Sequence, residues 1–319
     1  MSEALVEAIG VVRHYKLPGK RLLRAVDGVD LAIRRGGTLG LVGESGSGKS
    51  TLGRTLVGLQ EPSAGEVRFE GEAVAGASGA RLVRLRQQRQ IVFQDPSGAL
   101  NPRMVLGDTI VEHLRVQGWR RADARARAGE VLTLAGLSEA FSGRYPHEVS
   151  GGQRQRAVIA RAISTDPAFI VADEPVSALD VSTRAQIMNL LRELQGRSGL
   201  TMLFISHDLS IVAHMCREVA VMYLGQVVER APRDSLFRTP LHPYTAALLS
   251  AIPLPDPVLE RTRTRIVLKG ETPDPSAIPS GCRFHTRCLR ATEVCAKLAP
   301  EMRTLSPGHT VACHHPLNG

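Results

Sequence analysis

The octapeptide Gly43-Glu44-Ser45-Gly46-Ser47-Gly48-Lys49-Ser50 constrains this chain more than any other stretch. It fits G-x-x-x-x-G-K-[ST]. The apolar run Thr38-Leu39-Gly40-Leu41-Val42 precedes it, and a helix-compatible run through Leu59 follows it. A strand, a glycine-rich loop and a helix in that order turn backbone N–H groups inward around phosphate oxygens, and the helix N-terminus adds a favourable dipole. Lys49 is placed to reach the β- and γ-phosphates of a nucleoside triphosphate and the Ser50 hydroxyl to ligate Mg²⁺. Gly43, Ser45, Gly46, Gly48 and Thr51 complete the expected nucleotide cradle. Only five lysines occur among 319 residues, so a chance match is on the order of 1 in 200 from composition alone.

A second motif supplies carboxylates. Asp173-Glu174 follows directly on the apolar run Phe169-Ile170-Val171-Ala172. Asp173 is placed to hold Mg²⁺ through water, and Glu174 to orient or deprotonate the attacking water. A strand ending in Asp-Glu is by itself usually a solvated turn. Paired with the 43–50 loop, it predicts a P-loop nucleoside triphosphatase, without saying what hydrolysis drives.

Composition narrows the setting. Hydrophobic residues make up 43% and charged residues 22%, enough for a buried core and against global disorder. No apolar run approaches the length needed to span a bilayer, and Met1-Ser2-Glu3 does not begin a secretory leader. The expectation is a cytosolic protein. The net charge of +9 rests on 35 arginines and 5 lysines scattered singly or in pairs. With only 4% aromatics to stack on bases, no nucleic-acid partner is expected. Part of the charge serves phosphates, and the rest suits a surface working beside anionic headgroups.

The chain reads as an α/β sheet domain over residues 1–235, with a third buried strand at Thr201-Met202-Leu203-Phe204-Ile205. A helical insertion occupies about 96–155, where segments such as 121–136 are rich in Arg, Ala, Glu and Leu. Beyond residue 236 the texture changes. Eight of the 19 prolines fall between Pro240 and Pro279, a density that excludes a long helix or central strand. Residues 236–319 are therefore expected to form a loop-rich connection into a small cysteine-bearing tail.

Val149-Ser150-Gly151-Gly152-Gln153-Arg154-Gln155-Arg156 resembles the signature motif of ATP-binding-cassette (ABC) ATPases, with Val149 where Leu is commoner. Ser150, Gly151, Gly152 and Gln153 would form a second phosphate-binding helix start. One chain cannot easily wrap both elements around a single nucleotide. The resemblance implies head-to-tail pairing of two ATPases, with ATP between one chain's P-loop and the other's signature. Other positions match one by one. Gln94 resembles the Q-loop residue that links Mg²⁺ and the attacking water to the helical insertion. Asp180, in Ser177-Ala178-Leu179-Asp180, looks like the D-loop. His207, in Ser206-His207-Asp208, resembles the switch histidine at the γ-phosphate. Tyr15 could stack on adenine, although His14 is adjacent and a Tyr in an N-terminal strand is often only packing.

The stretches 93–103, 144–148 and 172–182, with His242-Pro243-Tyr244-Thr245, look like the oligopeptide/dipeptide importer branch. The resemblance implies an ATPase at the cytoplasmic face of the membrane. Its partners would be two transmembrane permeases, a second ABC ATPase and an extracytoplasmic solute-binding protein. The alternatives are a soluble ABC ATPase of DNA repair or translation, and an ATP-binding metal-cluster regulator.

Cys282, Cys288, Cys295 and Cys313 crowd the C-terminus, while Cys216 stands alone and reads as a small core residue. The spacing is not the C-x₂-C of common zinc knuckles. Four thiolates can hold zinc or an iron–sulfur cluster, or remain free thiols. The tail resembles that of peptide-importer ATPases in which four such cysteines hold a [4Fe–4S] cluster.

Overall fold

Runs of consecutive apolar residues without polar alternation suit strands covered on both faces, and the chain builds its central sheet from them. The computed structural model describes residues 4–253, 256–262 and 265–317. Met1-Ser2-Glu3 and Pro255 lie outside the described residues. In chain order the strands are β1 (Ala4–Lys16), β2 (Leu22–Arg34), β3 (Thr38–Val42), β4 (Ala64–Phe69), β5 (Glu72–Ala73), β6 (Arg89–Val92), β7 (Phe169–Asp173), β8 (Thr201–Ile205), β9 (Glu218–Tyr223), β10 (Gln226–Pro232), β11 (Met302–Ser306) and β12 (His309–Ala312). A four-stranded sheet runs β2-β1-β4-β5, and an eight-stranded sheet runs β11-β12-β10-β9-β3-β8-β7-β6.

Within the larger sheet β6, β7, β8, β3 and β9 are parallel neighbours. Their side chains divide between two cores. Ile170, Ala172, Met202, Phe204, Val219 and Val221 face one side, beneath the helical insertion. Phe169, Val171, Leu203, Ile205, Leu39 and Leu41 face the other, toward the small sheet. The first side is closed by the helices Leu106–Val116, Arg121–Leu134 and Gly151–Ile163, through residues such as Ile110, Val131 and Val158.

The consequence is a shared edge. Parallel strands present all their C-terminal ends on one side, where open α/β sheets bind ligands. From β6, β7, β8 and β3 that edge receives Gln94, Asp173-Glu174, Ser206-His207 and the 43–50 loop.

The tail departs from its expected character in one respect. It contributes β11 and β12, which extend the central sheet through pairing of β12 with β10 at Glu229↔Val311 and Arg230↔Thr310. Glu229 is fully buried and accepts hydrogen bonds from the Leu241 and His242 backbone N–H groups (2.7 and 2.9 Å) and meets His309 Nε2 at 2.7 Å. One carboxylate thus ties β10, the start of the proline-rich stretch and β12 together. Among the described residues no helix is long and apolar enough to cross a membrane.

Candidate functional site

The 43–50 loop needs glycine where its backbone presses on neighbours. A Cβ on Gly48, at φ +104°, would lie 2.0 Å from the Ala25 carbonyl oxygen, and one on Gly43 would lie 2.1 Å from that of Met222. Lys49 begins the helix Lys49–Leu56 and folds back, its Nζ donating to the Gly43 and Glu44 carbonyls at 2.8 Å each. Burial depresses the Lys49 pKa, against the pull of Glu174, Asp173 and Glu44. The ammonium is thus held among carbonyls and carboxylates, poised to gain from an arriving phosphate.

Ser50 Oγ donates to Asp173 Oδ1 at 2.8 Å. Burial raises the Asp173 pKa, partly offset by the Ser50 hydrogen bond. A hydroxyl and a carboxylate side by side are the hard-oxygen donors Mg²⁺ takes alongside phosphates and waters. Next along, Glu174 takes a left-handed backbone without being a glycine, φ +47°. Its N–H donates to the Ile205 carbonyl at the end of β8 (3.0 Å), which holds the turn. Such a conformation for a non-glycine residue costs about 1–3 kcal/mol. It aims the side chain at two partners that meet the same atom: Gln94 Nε2 donates to Glu174 Oε2 at 3.0 Å, and His207 Nδ1 lies 3.1 Å from it.

These groups share a cavity of about 710 Å³ lined by Tyr15, Ser45, Gly46, Gly48, Lys49, Ser50, Thr51, Gln94, Glu174 and His207, among others. Tyr15 is half-buried, its hydroxyl bonded to Gln60 and its ring under Arg13. Pro275, far along the chain, also lines the cavity, and its carbonyl accepts from the Arg24 N–H. No sequence signal placed the tail there.

Ser150 to Gln153 lie elsewhere, outside the lining of this cavity. Ser150 caps the helix Gly151–Ile163 reciprocally with Gln153: Ser150 Oγ accepts from Gln153 N, and Gln153 Oε1 accepts from Ser150 N. Gly152 carries a packing demand of its own, since a Cβ there would sit 2.4 Å from Thr183 Cγ2. Asp180 caps the helix Val181–Ser198, accepting from the Thr183 N–H and from the Ser182 and Thr183 hydroxyls. Those bonds, the Ser182 hydroxyl foremost, hold its carboxyl well below the usual range.

Glu44, a variable position of the loop motif, is the residue the sequence reading missed. Its backbone N–H donates to the Tyr244 phenol oxygen (2.8 Å). Its carboxylate accepts from Arg287 at 2.7 and 3.1 Å and from Thr272 at 2.7 Å. Burial works against the Glu44 charge, but Arg287 and Thr272 prevail and lower its pKa. All three partners come from beyond residue 240.

Cys282, Cys288, Cys295 and Cys313 line one small pocket with His242, Phe284 and His285, whereas Cys216 is buried in the main core. Burial raises the thiol pKa values of Cys282, Cys288 and Cys313, that of Cys313 to about 11. Among the described residues no three His, Cys, Asp or Glu side chains converge on a site for a single metal ion.

Residues 26–177 match the family described as ABC transporter, and residues 228–295 match the oligopeptide/dipeptide transporter C-terminal region. YkfD of Bacillus subtilis (strain 168) is 50% identical over 97% of this chain and 95% of its own length. The oligopeptide transport ATP-binding protein AppF of the same organism is 49% identical over 92% of this chain and 89% of its own. Among solved structures, the ATP-binding cassette MJ0796, a dimer in a post-hydrolysis state bound to ADP and Pi, matches with TM-score 0.65 and 31% identity. That match covers 72% of this chain and 98% of that one.

Proposed function

The chain belongs to the ABC transporter family, and from that premise we propose that it is the ATP-hydrolysing subunit of an importer for di- and oligopeptides or a related small solute. The match of residues 228–295 to the peptide-transporter C-terminal region carries the substrate class. In this reading the cassette spans residues 1–235 and the peptide-importer region 236–319. The protein works at the cytoplasmic face of the membrane on two permeases, with a solute-binding protein on the far side. The DNA-repair reading is not favoured, because the helices between the P-loop and the signature are short. The longest of them, Arg121–Leu134, has 14 residues, too few for a coiled-coil arm.

ATP occupies the cavity above the 43–50 loop, its adenine against Tyr15 and its phosphates on the loop N–H groups and Lys49. Ser50, Asp173 and Gln94 would hold Mg²⁺, which neutralises charge on the transferring phosphoryl group. Glu174 takes the proton of the attacking water. Gln94 and His207, both on Glu174 Oε2, fix that oxygen and report the state of the γ-phosphate to the helical insertion and to β8. Ser150 to Gln153 sit outside their own chain's cavity, which supports a second ATPase, a like copy or a homologue, closing its signature over the nucleotide. Asp180 caps the helix beside that seam. ATP-driven closure then biases the permeases between inward- and outward-facing states.

The four cysteines are proposed to hold a [4Fe–4S] cluster. In such a cluster each thiolate binds a different iron, so the sulfurs surround a volume without converging on one point. What supports this reading is that all four cysteines line one pocket, together with His242, Phe284 and His285.

Co-expression with peptide-importer permeases, purification from membranes and assay of ATP hydrolysis test the assignment. Hydrolysis stimulated by peptides through the recovered complex is expected. A chain that stays out of membranes and turns over ATP indifferently to permeases would overturn it.

A further inference from the structure

The His242-Pro243-Tyr244 turn plays no part in phosphate chemistry, yet it faces both regions described above. His242 is 1% exposed and lines the pocket of Cys282, Cys288, Cys295 and Cys313. Its Nδ1 accepts the Tyr244 N–H at 3.0 Å, so the neutral ring carries its proton on Nε2. That Nε2 is buried without a hydrogen-bond partner. Buried donors are rarely left unpaired, and this one lines a pocket whose other polar lining includes four sulfurs. A thiolate or an inorganic sulfide is the acceptor that would satisfy it, and hydrogen bonds to sulfur are among the features that set a cluster's potential.

Two residues along, the same turn reaches the phosphate loop, where the Tyr244 phenol oxygen accepts the Glu44 N–H at 2.8 Å. The second link starts at the cysteines themselves. Arg287, adjacent to Cys288, grips the Glu44 carboxylate with both terminal nitrogens. Phe284, two residues after Cys282, packs at 5.3 Å against both Tyr244 and Tyr223 and at 5.5 Å against His242. Both routes from the pocket end on one residue of the nucleotide loop.

We propose that His242 is the hydrogen-bond donor to the sulfur-ligated group of the cysteine pocket, and that the His242–Tyr244 turn and Arg287 couple occupancy of that pocket to the phosphate loop, so that nucleotide binds more tightly when the pocket is loaded. This rests on the iron–sulfur reading above. Ligated thiolates fix the Cys282–Cys288 segment, and with it Phe284 and Arg287. An ordered Glu44 in turn holds the loop that Lys49 and the backbone N–H groups present to phosphate. His242 and Tyr244 act here as positioning residues, since neither lines the nucleotide cavity.

The test uses the full chain purified anaerobically, compared when reconstituted with ferrous iron and sulfide and when stripped of iron. Iron and sulfide content, midpoint potential and the Kd for Mg-ADP are measured on each. The loaded wild type is expected to bind ADP roughly five- to tenfold more tightly than the stripped form, at the low end of ordinary coupling between sites. Tyr244→Phe should load the same iron and show a smaller difference in ADP affinity between the two states. Arg287→Gln should shrink the difference if the Tyr244 variant folds poorly. His242→Asn, whose amide oxygen can still cap the Tyr244 N–H, should keep its iron but move the midpoint potential to a more negative value. Equal ADP affinity in loaded and stripped wild type, a full difference retained by Tyr244→Phe, or an unmoved potential in His242→Asn would each overturn the coupling. A wild-type chain that takes up no iron fails at the metal assay, before nucleotide is added, and removes the cluster reading together with this one.

Discussion

The nucleotide edge and the cysteine tail reach order by opposite routes. At the edge, four parallel strands buried on both faces deliver Gln94, Glu174, His207 and the 43–50 loop to one place, and backbone demands fix which residues can stand there. Gly43 and Gly48 have no room for a Cβ, and Glu174 accepts a left-handed conformation. The tail has a much smaller apolar core of its own, with Leu241, Val311 and Cys313 forming the separate cluster. Leu236, Tyr244 and Phe284 pack into the cassette's main core, and polar ties add to that docking: Glu229 to His309, Arg287 to Glu44, and Arg283 to Asp27 and to the Leu224 carbonyl. A site built on packed strands can be rigid without its ligand. A region held by a few buried side chains and charged contacts gains most from something that draws it together.

The largest expected effect separates the two regions cleanly. Glu174→Gln keeps the shape and the hydrogen bonds to Gln94 and His207 but removes the base. Hydrolysis should fall by about 10²–10⁴-fold, while ATP affinity and the tail's resistance to proteolysis stay as in wild type. Turnover at the wild-type rate would remove Glu174 from the chemistry. Loss of ATP binding would mean that the carboxylate holds the cavity together.

Glu229→Ala attacks the tail without touching the nucleotide. It strands the Leu241 and His242 N–H groups and His309 in a buried setting, the kind of broken buried pair that costs about 3–5 kcal/mol. A urea titration should show the loss, and limited proteolysis should cut first beyond residue 235. A change below about 1 kcal/mol would mean that the tail is docked by its strands and that the contrast above is drawn too sharply.

How much of this could be read from the sequence follows the same line. The 43–50 loop and Asp173-Glu174 declare themselves because each is contiguous and sits at the end of an apolar strand. The tail's strands do not. Every residue of β11 is exposed, so it has no buried face to impose a period of two. β12 is four residues long and includes the buried His309. Glu44 was invisible for another reason. It fills a position that the loop motif leaves free, and its partners Tyr244, Thr272 and Arg287 lie 200, 228 and 243 residues away. Neither periodicity nor spacing can carry a contact of that range.

The smallest effect lies on the seam between the regions, and it can be isolated by pH. Glu44 has its pKa lowered in the folded chain from an ordinary 4.5, with burial opposing and Arg287 and Thr272 outweighing it. A depressed carboxylate contributes stability that is fully present above its unfolded value. The contribution fades as pH falls through about 4.5 toward the folded value. At pH 7 the wild type should therefore exceed Glu44→Gln by about 1.5–3 kcal/mol, the range for a hydrogen bond to a charged group. The two should converge as pH falls below 4.5. Asp27 is likewise depressed, against its burial, by Arg283 and His14, so both proteins lose its contribution in the same acid range and the difference between them reports Glu44 alone. A gap that persists unchanged in acid would place the value of Glu44 in its shape, and the tail would then be joined to the phosphate loop chiefly by the Tyr244 hydrogen bond to its backbone.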